Sequence, residues 1–138
     1  MKKIILPLFT LVLFCFSGCN SDDDNNDSGL LDTWTLINAG GGFSGASYDY
    51  EKSLITAKFK ADGKVEIMNR NTDESKPGFF ETGVYDYAEV DNTSQIMDCS
   101  KSMTIENATF YCYQIDGQDR LILDDSPVDG IKYTFIRN

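Results

Sequence analysis

The sequence predicts a small antiparallel all-β domain, a sandwich or a barrel, on three observations. Apolar and polar residues alternate with period two in many short stretches. From Gly29 onward no stretch of a dozen residues carries apolar side chains at the three- and four-residue spacing of a helix. Turn-forming pairs, Glu106-Asn107, Asp116-Gly117 and Asp129-Gly130, fall between the alternating stretches.

Taken in order, residues 31–38 open the domain, with Trp34 and Leu36 on the face expected to point inward. Ile55-Thr56-Ala57-Lys58-Phe59 alternates, Ala61-Asp62-Gly63 supplies a tight turn, and Val65-Glu66-Ile67 alternates again, the clearest hairpin in the chain. Further strands are expected over residues 80–88, 94–98 with 102–105, 109–115, 120–123 and 131–137. About seven to nine short strands at this spacing fit a sandwich or a barrel, and periodicity alone does not choose between them. Pairing of the 31–38 and 131–137 strands would close the sheet and leave no exposed edge. The inward set of the last strand would be Ile131, Tyr133 and Phe135.

The N-terminus carries an address. Met1-Lys2-Lys3 precedes an apolar run over residues 4–16, and Ser17-Gly18 stands before Cys19, the order of a secretory signal. As a helix the run would reach only about 20 Å, short of the roughly 30 Å hydrocarbon core of a bilayer. Leu13-Phe14-Cys15-Phe16-Ser17-Gly18-Cys19 resembles a lipobox, with Phe16 where that motif usually has Leu. The resemblance implies that residues 1–18 are a signal peptide and that Cys19 carries acyl chains. Several chains at about 0.8 kcal/mol per buried methylene make a lasting membrane anchor. Residues 20–28 hold nine polar residues, four of them Asp, and read as a solvated tether. Ser21-Asp22-Asp23-Asp24 also resembles the acidic export signal of Bacteroidetes surface lipoproteins, which implies the outer membrane and its outer face.

Cleavage before Cys19 leaves 120 residues, one domain's worth, and 10 basic against 22 acidic residues, a net charge of −12. Such a surface excludes nucleic acid and anionic lipid as partners. Cys15 leaves with the signal and Cys19 is spent on lipid, so Cys99 and Cys112 remain. In an exported domain they are expected to join; the alternative is two buried free thiols. Closing a loop of about 14 residues would stabilise by roughly 3 kcal/mol.

The order Leu31-Asp32-Thr33-Trp34-Thr35-Leu36, Gly41-Gly42-Phe43 with Gly45, Ile55-Thr56-Ala57-Lys58-Phe59 and Tyr133-Thr134-Phe135-Ile136-Arg137 resembles the lipocalin-like domains of Bacteroidetes lipoproteins. The resemblance runs from Leu30 to the last residue and implies an up-and-down barrel of about eight strands. It also implies that Trp34 and Arg137 stack at the closed barrel end; Asp32 stands where that family usually has Gly. A cation over an indole contributes about 0.5–2 kcal/mol.

Other motifs were weighed for chemistry. Gly40-Gly41-Gly42-Phe43-Ser44-Gly45 satisfies G-x-G-x-x-G, but no helix follows to receive a pyrophosphate. It reads instead as a loop at a barrel mouth, with Phe43 positioned to fold over the opening. Asp24-x-Asn26-x-Ser28-Gly29 resembles half a calcium loop, but the twelfth position is Thr35 rather than Glu. The chain has no histidine, which removes the usual zinc ligand and general base. There is no Gly-x-Ser-x-Gly elbow. Carboxylate chemistry would fall to Glu66, Glu81 or Asp86, of which Asp86 shares a face with Phe80 and Val84. Tyr85, Tyr87, Tyr111 and Tyr113 alternate on two strands that would form either a binding stripe or barrel filling.

The expected function is therefore that of a non-enzymatic, membrane-anchored module that binds a small apolar or amphipathic ligand through Phe43 and the tyrosines. The alternative is an interaction protein of the envelope whose barrel is packed solid. Neither needs a cofactor or a metal. A cavity of roughly 300 Å³ or more with apolar walls would favour the first.

Overall fold

The computed structural model describes residues 29–92 and 99–138. The expected signal peptide, Cys19, the acidic tether and the 94–98 strand lie outside the described residues.

Ten strands follow one another: β1 Thr33–Gly41, β2 Ala46–Asp49, β3 Ile55–Phe59, β4 Lys64–Asn69, β5 Gly83–Asp91, β6 Lys101–Ile105, β7 Ala108–Phe110, β8 Cys112–Ile115, β9 Arg120–Asp124 and β10 Ile131–Arg137. All pairings are antiparallel, in the order β7-β6-β5-β4-β3-β1-β10-β9-β8, with β2 also on β1. The two ends of that path, β7 and β8, are separated in the chain by Tyr111 alone. The 108–115 segment therefore pairs with β6 through its first half and with β9 through its second. This bends the sheet into a nearly closed up-and-down barrel. β2 and β3 likewise share the flank of β1, so among the described residues the ten strands make eight staves, within the seven to nine strands that the periodicity predicts.

The expected hairpin is present in register, Ile55 opposite Asn69 and Phe59 opposite Val65. Its turn is held by the Lys60 amide donating to the Lys64 carbonyl (2.9 Å), with Gly63 at φ 75°, a conformation that favours glycine. The first and last strands pair as expected, Trp34 opposite Arg137 and Leu36 opposite Phe135. A bulge between Leu36 and Asn38 moves the inward phase by one residue, so that Ala39 rather than Asn38 is buried.

The barrel is filled. Trp34, Leu36, Ile55, Ala57, Val65, Ile67, Met103, Ile105, Leu121, Leu123 and Phe135 are all at or near zero exposure. Burying each such large side chain contributes about 1.5–3 kcal/mol, enough in sum to fix a register in which every strand turns one face inward.

The start and the facing of β5 differ from the sequence reading. β5 begins at Gly83 rather than at residue 80, because Phe79 and Phe80 are adjacent aromatics that a period-two strand cannot both turn inward. On β5 the inward face carries Tyr85 and Tyr87, while Val84 is 59% exposed. Asp86 therefore points to solvent, paired with Lys64 at 2.5 Å, contrary to the inward position its phase with Phe80 had implied.

A continuous meander puts successive loops at alternate ends. One end holds the start of β1, the 60–63 and 116–119 turns and the end of β10. The other holds the 42–45 turn, the long 70–82 loop, the 106–107 turn and the 125–130 loop, which contains a short 3-10 helix, Ser126–Val128.

Candidate functional site

The two ends are built differently. At the end where the described chain begins, the Arg137 guanidinium lies 4.4 Å from the Trp34 ring centre. Arg137 also donates to Asp32 (2.6 Å) and to the Gly29 carbonyl (3.2 Å) and stands 3.4 Å from Asp119. The Trp34 indole N–H donates to the Leu30 carbonyl at 2.9 Å. With every donor of the Trp34 indole and most of the guanidinium engaged, this end is a plug.

At the opposite end the 70–82 loop lies across the mouth. Its backbone is tied down by side chains: the Tyr50 hydroxyl donates to the Pro77 carbonyl (2.5 Å), the Tyr133 hydroxyl to that of Gly78 (2.7 Å), and Lys76 to that of Asp49 (2.7 Å). Pro77 and Gly78 turn the chain so that Phe79 enters the barrel. The Phe79 ring meets Phe80, Tyr133 and Phe135 at 4.9, 5.1 and 5.2 Å between centroids, all edge-on, and Phe110 at 6.3 Å. Beside it is an open cavity of about 370 Å³ lined by Phe79, Phe80, Ala108, Phe110, Ile131 and Tyr133, together with Gly78, Asp125 and Gly130. The walls are aromatic and aliphatic, and burial pushes the Tyr133 phenol up to about 12.

Asp125 is the one acid of this lining. Its Oδ1 is buried and makes no hydrogen bond among the described residues. Burial raises its pKa from the ordinary value, and the neighbouring Asp124 adds to the effect. Gly130 makes the position possible, since a Cβ there would lie 2.5 Å from Asp125 Oδ2.

The residues expected to bind a ligand are not brought together here. Phe43 sits on the 42–45 turn at the mouth end but is 99% exposed and covers nothing. Tyr85 and Tyr87 face inward from β5, where Tyr85 packs on Phe80 and Tyr87 edge-on to Phe59. Their hydroxyls donate to the Glu81 and Lys60 carbonyls, both at 2.9 Å. Tyr111 is exposed at the break between β7 and β8, and Tyr113 is buried on β8. β6 separates β5 from β7, so the four tyrosines form no continuous stripe. The break at Tyr111 also reverses the phase of its strand: Phe110 is buried before it, Tyr113 after it.

Cys99 and Cys112 form a disulfide with Cα atoms 5.5 Å apart. It ties the start of β6 to the far half of the 108–115 segment, across the point where the ladder is interrupted. Among the described residues no group of three or more acids or cysteines converges to hold a metal ion.

The sequence signal for the true lining was the Phe79-Phe80 pair after Pro77-Gly78, an apolar doublet in a segment otherwise rich in polar residues. Asp125 gave no such signal, because its burial depends on Gly130 across a loop. Comparison with protein-family models, curated proteins and solved structures finds no match to this chain.

Proposed function

We propose that this chain is an extracytoplasmic lipoprotein, anchored in the outer membrane through acyl chains on Cys19, whose lipocalin-like barrel binds a small apolar or amphipathic ligand at its mouth. The observation that carries the reading is the cavity of about 370 Å³ beside Phe79, within the size range of small-molecule sites and walled mainly by apolar side chains. Its placement supports the anchor, because the described chain enters the barrel at the Trp34 end. A lipid upstream would hold that end towards the bilayer and turn the mouth outward.

One observation favours a second reading, an envelope interaction protein. The barrel interior is occupied by its own core and by Phe79, so ligand is held at the mouth and not in a deep lumen.

The test uses the full chain in phosphatidylcholine nanodiscs, with 2-phenylethanol as a neutral apolar probe and empty nanodiscs as the blank. The reading expects equimolar binding that Ala108→Trp, which fills the cavity, abolishes. No binding, or binding that the Trp variant leaves unchanged, would reject the mouth as a ligand site and favour the second reading.

A further inference from the structure

We propose that the mouth selects a small apolar monocation, an ammonium carried on an aromatic or alicyclic body, with the ammonium held by Asp125. The inference rests on the ligand-binding reading above and narrows the ligand's chemistry.

The carboxylate is the first reason. Asp125 is partly buried, and a carboxyl oxygen held out of water normally has a hydrogen-bond partner, because an unsatisfied polar atom costs free energy. Asp125 Oδ1 has no hydrogen-bond partner, and no lysine or arginine pairs with Asp125 among the described residues. The position is held by the fold itself: the Asp125 carbonyl accepts from the Gly130 amide at 3.0 Å and its amide donates to the Ile131 carbonyl at 3.2 Å. Gly130 leaves the space that the carboxylate fills.

The walls are the second reason. Phe79, Phe80, Phe110 and Tyr133 border the same cavity, and aromatic faces attract a cation through their quadrupole. An ammonium therefore gains from both the acid and the rings. An anion is repelled by Asp125 and the adjacent Asp124, and a neutral alcohol gains one uncharged hydrogen bond at most. The whole-chain charge of −10 further concentrates cations around the molecule.

The experiment compares 2-phenylethylammonium with its neutral counterpart 2-phenylethanol by calorimetry on the full chain in phosphatidylcholine nanodiscs. A charge-assisted bond in a partly shielded site predicts that the ammonium binds about tenfold more tightly. Asp125→Asn, nearly isosteric, should bring the two affinities together. Equal affinities in the unaltered chain, or a preference that survives in the Asn variant, would overturn the inference while the ligand-binding reading stands on the alcohol. Failure of both probes to bind would overturn both.

Discussion

Trp34 and Arg137 are direct partners across β1 and β10, and the guanidinium of one covers the indole of the other at 4.4 Å. Asp32 explains how the arrangement is held, since its carboxylate takes Arg137 at 2.6 Å from below the same strand. Arg137→Ala should lower unfolding stability by about 2 kcal/mol, from the lost cation contact and partly shielded ion pairs. Arg137→Lys should recover only part of it, because an ammonium lacks the planar fork that reaches Asp32 and Gly29 together. Urea titration of both variants checks this; full recovery by Lys would mean that charge alone matters there.

The two loop acids should respond to pH in opposite senses. The Arg137 guanidinium and the Thr33 amide hold the Asp32 pKa below its ordinary value of 3.8. Its contribution is present above that value and is lost as pH falls through the folded pKa. Asp125 is raised by burial and by Asp124, so its penalty is present at neutral pH and disappears as pH falls through its folded pKa. Asp32→Asn should therefore destabilise and Asp125→Asn stabilise at neutral pH, with both differences shrinking in acid. Thermal melts across the acid range read the signs directly.

Reduction of Cys99–Cys112, or Cys99→Ser with Cys112→Ser, should cost about 3 kcal/mol by releasing a loop closed over a separation of 13 residues. Non-reducing mass analysis should find the pair two hydrogens lighter than free thiols. Alkylation of both cysteines without reduction would contradict the bridge.

Burial pushes Tyr113 and Tyr133 up to about 12 against an ordinary value of 10.0. The unfolded chain gives up these protons first, so stability should fall as pH rises from about 10 through about 12. In a near-ultraviolet titration of the folded protein, Tyr113 and Tyr133 should ionise last, after Tyr50 and Tyr87, whose phenols burial also raises. Ionisation of Tyr113 and Tyr133 at the ordinary phenol value would show that neither is shielded.

The proposed anchor makes a cellular prediction. Cys19→Ala should leave the chain unacylated and recoverable in the aqueous fraction, and Ala in place of Asp22, Asp23 and Asp24 should reduce its accessibility to protease on intact cells. Membrane retention of the first variant would contradict the lipid anchor, and unchanged accessibility of the second would make the acidic tract a spacer.

Much of the barrel was legible because alternation and turn chemistry are local. The 55–67 hairpin follows from residue order, and the pairing of β1 with β10 and the Trp34–Arg137 stack are what the resemblance implies. Tyr85, Tyr87, Tyr111 and Tyr113 form no continuous stripe, because the break at Tyr111 and the intervening β6 are properties of sheet closure, which no single strand encodes. The cavity was illegible for a related reason: its walls come from two loops and from β7 and β10, which meet only once the meander has turned back on itself.

The central claim, that the mouth beside Phe79 is where ligand binds, is tested most directly by mapping amide and aromatic NMR shifts of the full chain during titration with 2-phenylethanol. Shift changes should concentrate at Phe79, Phe80, Phe110, Ile131 and Tyr133, with the Trp34 indole unmoved. Saturating binding whose shifts gather around Trp34 or Tyr113 and spare Phe79 would contradict it.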